Sequence, residues 1–171
     1  MGTYPAGNII QVTPTLSTDA YADNDVLFDA TEIPNAVSSR GGVSRLIAIT
    51  IHSQNTDLAD YDLIFMKKQT NLGTINEAVG SGSLWTDDLA QSAKVTGLVV
   101  IDGTDNNASL AATRLYHFSG PHGTSHASGL PMLLQAEPGE TSIYFSAVLR
   151  DGTPTYAADD IDFIFHIEYL G

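Results

Sequence analysis

The chain contains no cysteine, which excludes disulfide staples, thiolate metal sites and cysteine nucleophiles together. Basic residues are scarce: seven Lys and Arg stand against twenty Asp and Glu, a formal charge of −13. A surface this acidic repels nucleic-acid phosphates and anionic lipid headgroups, so neither nucleic acid nor membrane is expected as a partner. No apolar run approaches the roughly 20 residues that a membrane-crossing helix needs. Met1–Gly7 has neither the basic nor the apolar region of a signal peptide. The phosphate-cradling patterns G-x-x-x-x-G-K-[ST] and G-x-G-x-x-G are missing, and Lys67-Lys68 is the only adjacent basic pair.

What is present is a chain of 171 residues, 43% of them hydrophobic, enough for one domain with its own core. Short apolar stretches alternate in the manner of half-buried strands. They are Asn8–Thr13, Asp25–Phe28, Ser44–Ser53, Tyr61–Lys67, Val95–Asp102, Thr113–Phe118, Pro131–Ala136, Thr141–Arg150 and Asp160–Tyr169. In the last of these Ile161, Phe163, Phe165, Ile167 and Tyr169 share a face; Ile143, Phe145, Ala147 and Leu149 do so in the one before. Ser44–Ser53 sets Ile47, Ile49 and Ile51 against Leu46, Ala48, Thr50 and His52, apolar on nearly both sides, and reads as a central strand.

Turn residues separate these runs: Arg40-Gly41-Gly42, Asp102-Gly103, Gly120-Pro121, Glu137-Pro138-Gly139 and Asp151-Gly152-Thr153-Pro154. Glu137–Glu140 reads as a hairpin loop. One stretch reads as a short helix, with Thr86 as N-cap, Asp87 and Asp88 in its first turn, and Trp85 placed to staple onto it. The expected fold is an all-β, two-sheet antiparallel sandwich, with a jelly roll favoured over a closed barrel. Residues 1–24 are expected as an extended N-terminal arm and residues 25–171 as a single domain.

Four groups of residues could carry chemistry. His117, His122 and His126 could surround a zinc ion, but their spacing matches no zinc signature. A Gly/Ser/His loop at a sheet end, or an oligomer contact, accounts for them better. Asp19, Asp23 and Asp25, then Asp102 and Asp105, then Asp159, Asp160 and Asp162 offer hard oxygen ligands. None forms a calcium loop, and such residues also cap turns. Serine, histidine and aspartate are all present without a G-x-S-x-G elbow. Trp85, Tyr4, Tyr21 and Tyr156 could form a stacking platform for a sugar, or serve as core. No catalytic residue, metal ligand or cofactor is assigned.

Asn8-Ile9-Ile10-Gln11-Val12-Thr13-Pro14-Thr15-Leu16, with Ala20–Phe28 and Glu32-Ile33-Pro34-Asn35-Ala36-Val37, resembles the N-terminal half of small structural proteins of tailed-bacteriophage virions, notably from aquatic hosts. Tyr61–Phe65, Leu72–Asn76 and Gly152–Tyr156 extend the resemblance over most of the chain. The proteins it is most like are capsid decoration (cement) proteins. The resemblance implies a non-enzymatic virion protein on the capsid surface, made in the host cytoplasm, often a homotrimer, with the major capsid protein as partner. A host-recognition or carbohydrate-binding module of a head or tail fibre is the alternative. In the decoration role, Ile9, Ile10 and Val12 are the expected contact with the shell or with a neighbouring subunit.

Overall fold

The computed structural model describes residues 6–55, 59–83, 85, 94–104, 107–120 and 129–170. Ten strands are laid out in chain order: β1 Gly7–Val12, β2 Val26–Ile33, β3 Val43–Ser53, β4 Asp60–Met66, β5 Val95–Ile101, β6 Asn107–Leu110, β7 Thr113–Ser119, β8 Met132–Gln135, β9 Ile143–Asp151 and β10 Ile161–Tyr169. They form two antiparallel sheets. One runs β1-β10-β3-β7-β6, with β8 also on β3; the other runs β2-β9-β4-β5. The sheets pack face to face as a sandwich, because each carries one apolar face that only the other can cover. The helix expected at Thr86–Ala93 lies outside the described residues.

The core sits between β9 and β10. Ile143, Phe145, Ala147 and Leu149 from β9 and Ile161, Phe163, Phe165 and Ile167 from β10 are all buried, as their alternation requires. Phe28, Phe65 and Tyr61 join them in a continuous aromatic cluster. A second, smaller apolar cluster of Val26, Ala30, Met66 and Leu72 lies on the outer side of the four-stranded sheet, with Ile64, Trp85 and Val148 packed against it.

Three expectations are corrected. Ile47 does not share the buried face with Ile49 and Ile51. The β3–β10 register shifts where His166 pairs Ala48 but Ile167 pairs Leu46, so Ile47 is the extra residue of a β-bulge. Leu46 therefore turns inward, and Ile47 is 42% exposed. Glu137–Glu140 is a turn, closed by the Glu140 N–H on the Glu137 carbonyl (3.0 Å), but it is no hairpin. It joins β8 of one sheet to β9 of the other.

The third correction concerns the N-terminal arm. Over Gly7–Val12 it is strand β1, paired in register with β10 of the same chain from Gly7↔Glu168 to Val12↔Phe163. The segment between β1 and β2 is also held down. Leu16 and Tyr21 are buried, and the N–H groups of Leu16, Tyr21 and Asn24 donate to the carbonyls of Ala158, Pro154 and Leu149. The Tyr21 hydroxyl donates to the Leu27 carbonyl (2.8 Å) and accepts the Ser17 N–H (2.6 Å). Burial pushes its pKa up to about 12.

Candidate functional site

The six-stranded sheet ends at β1, and no described strand lies beyond it. The Tyr169 N–H donates to the Ala6 carbonyl (3.0 Å), which sets the phase of the β1–β10 ladder. Even-numbered residues of β1 bond to β10, while Gly7, Ile9 and Gln11 direct their amides away from it. Side chains alternate in the same phase. Ile10 is in the core and Val12 packs against it, whereas Ile9 is 66% exposed. Of the three expected contact residues, then, only Ile9 faces out. Gly7, Gln11 and the bulged Ile47 belong with it. The two-residue alternation within Asn8–Val12 already separates Ile9 from Ile10, whereas nothing local in the sequence announces the bulge.

The outer face of the same sheet carries a histidine cluster. Thr50 Oγ1 lies 2.9 Å from His117 Nδ1 and 3.1 Å from His166 Nε2, and the two rings meet edge to face at 5.8 Å. One hydroxyl can donate to one imidazole and accept from the other, so the pair is satisfied with both rings neutral. Partial burial, and secondarily the nearby His117, lower the pKa of His166. On the same face His52 Nδ1 is 3.9 Å from Asp162 Oδ2, and the Thr13 hydroxyl donates to the other Asp162 oxygen. His122 and His126 lie outside the described residues. Among the described residues no three His, Asp or Glu side chains converge as a metal cluster.

Three of the acidic residues cap their own turns. Asp25 accepts the Ala22 N–H (2.8 Å), Asp102 accepts the Thr104 N–H (2.8 Å), and Asp160 accepts the Ala157 N–H (2.7 Å). These are local side-chain caps that preset the turn. Asp105 lies outside the described residues.

No protein-family model matches the chain, and a search of curated proteins finds no matching sequence. Among the described residues no helix is long and apolar enough to cross a membrane.

Among the described residues the sugar-stacking platform is not assembled. Tyr21 and Tyr156 are 1% and 4% exposed and face each other at a ring distance of 6.0 Å, so neither offers a free face for stacking. Trp85 instead lines an apolar pocket of about 270 Å³ with Ile64, Leu72, Val95 and Leu98. Tyr4 lies outside the described residues.

Proposed function

We propose that this chain is a non-enzymatic structural protein of a tailed-phage virion, a decoration protein bound to the outer surface of the capsid. The resemblance supplies the class. What supports it here is an acidic sandwich, with the segment after β1 tied onto the core and the β1 edge left uncovered by the described residues. We read the strand order as a jelly roll. Setting β6 and β8 aside, β1-β10-β3-β7 faces β2-β9-β4-β5, and consecutive strands, the β4–β5 hairpin excepted, cross between the sheets in the pattern of two nested Greek keys. In this role the −13 charge complements a basic patch on the major capsid protein, so attachment weakens as salt rises. The neighbour contact is the β1 edge through Ile9; Ile10 serves the chain's own core.

Copy number tests this reading. Particles purified from the source culture would be digested and the chain quantified against the major capsid protein by mass spectrometry. Hundreds of copies per particle are expected. A few copies would replace the decoration role with a fibre or tail component, and absence from particles would end the virion reading altogether.

A further inference from the structure

Five strands bound the two sheets, and among the described residues four of those edges are managed. Along β2 the Ala30 N–H donates to Asn71 Oδ1 (3.0 Å), Gln69 Nε2 donates to the Ala30 carbonyl (3.3 Å), and Val26 exchanges bonds with Glu77 and Asn76. Its pairing with β9 is also irregular. Against β5 the backbone at Gly129 lies so close to the Leu98 carbonyl that a Cβ there would come within 2.3 Å. β6 and β8 are each only four residues long. Bulges, coverage and brevity are the ordinary means by which proteins blunt sheet edges.

Among the described residues β1 has none of these protections. It is six residues long, in unbroken register with β10. Ala6–Thr13 contains no proline and no ionisable side chain. Its outward amides belong to Gly7, Ile9 and Gln11, and the one local cap is Asn8 Oδ1 on the Ile9 N–H (2.9 Å). Asn8 is exposed and can swing aside. Beside the edge, Ile9 and Ile47 stand exposed around His166, and the Arg45–Glu168 ion pair (3.0 Å) neutralises itself.

We infer that β1 pairs antiparallel with β1 of a second copy about a two-fold axis at Ile9, joining the two six-stranded sheets into one. The phase permits it. Residues with outward amides must face each other, and a two-fold axis at Ile9 sets Ile9 opposite Ile9 and Gly7 opposite Gln11, each pair exchanging both main-chain bonds. Charge favours this edge over the rest of the surface as the place where two copies can meet. Two copies at −13 repel wherever their acidic surfaces meet, and an uncharged strand lets them approach most closely. The Ile9 side chains then lie opposite each other on the outer face. This inference needs only the fold and stands apart from the virion role, whose failure would show in copy number and not here.

Sedimentation of the full chain over a concentration series, at low and at high salt, tests it. A dimer is expected, tighter in high salt because screening relieves the repulsion. Ile9→Lys should weaken it at least roughly tenfold. Gln11→Pro should do the same, since it removes an outward N–H while leaving the bonds to β10. Both variants should keep the parent's melting temperature measured under monomeric conditions. Amide exchange at Ile9 and Gln11 should slow as concentration rises. A monomer throughout, a trimer, or a dimer indifferent to both substitutions would overturn the inference.

Discussion

Phe145 of β9 and Phe165 of β10 meet edge to face across the two sheets, ring centroids 4.9 Å apart. Both are fully buried, and Phe28, Phe65 and Phe163 also contact Phe145. Replacing Phe145 with Ala opens a cavity where the two sheets are joined and should cost about 3–5 kcal/mol. Phe145→Leu, which refills part of the space, should cost clearly less. Denaturant midpoints with unchanged m-values would check both.

Much of this core was legible because the strands alternate cleanly. Ile143–Leu149 and Ile161–Ile167 place every second residue inward, and a period of two is visible without knowing any neighbour. The bulge at Ile47 was hidden, because both faces of that strand are apolar and the alternation therefore carries no phase. β6, Asn107–Leu110, escaped notice since Asn-Ala-Ser-Leu has weak strand propensity and forms through pairing with β7. At the candidate site, Ile9 was found as part of a strand. Alternation sets it apart from Ile10 and Val12, but which of the two sets faces inward depends on the face of β1 that packs against the other sheet, a long-range contact that composition does not encode.

The Tyr21 hydroxyl bridges the Ser17 N–H and the Leu27 carbonyl, fastening the segment after β1 to β2. Tyr21→Phe leaves both groups without that partner and should cost about 1–3 kcal/mol. It also has a pH signature. The folded pKa of about 12 exceeds the ordinary value near 10, so the folded state holds its proton more tightly than the unfolded one. That contribution is fully present below about pH 10 and is lost as pH rises through 12. Burial pushes Tyr61 up as well. Melting temperature should fall steeply above about pH 10, and less steeply in Tyr21→Phe.

Thr50 serves two imidazoles at once, and His166 is harder to protonate than a free histidine, first through burial and then through His117. With the folded pKa below the ordinary value of about 6.5, the stability involved is present above that value and is lost as pH falls through the lowered one. Imidazole titration by NMR should show His166 protonating below the ordinary histidine range. His117→Gln should raise it part of the way back. Thr50→Val should cost about 1 kcal/mol at neutral pH, the net worth of a typical hydrogen bond.

Gly97 and Gly129 both sit where the two sheets come together at β5 and β8, and alanine should affect them very differently. A Cβ on Gly97 would meet Met132 Cε at 2.5 Å and Sδ at 3.0 Å. Those atoms end a flexible side chain that can turn away, so Gly97→Ala should cost about 1 kcal/mol, the low end for overpacking. A Cβ on Gly129 would meet the Leu98 carbonyl oxygen at 2.3 Å and its carbon at 3.5 Å. Backbone cannot turn away, and φ at Gly129 is +77°, left-handed territory that alanine enters only under strain. Gly129→Ala therefore combines a clash with roughly 1–3 kcal/mol of backbone strain. Its melting temperature should drop well below that of Gly97→Ala, and amide exchange should quicken first along β5, from Val95 to Ile101. Equal losses in the two variants would mean that the Gly129 segment yields as easily as the Met132 side chain, and that the β5 edge is less firmly covered than its geometry indicates.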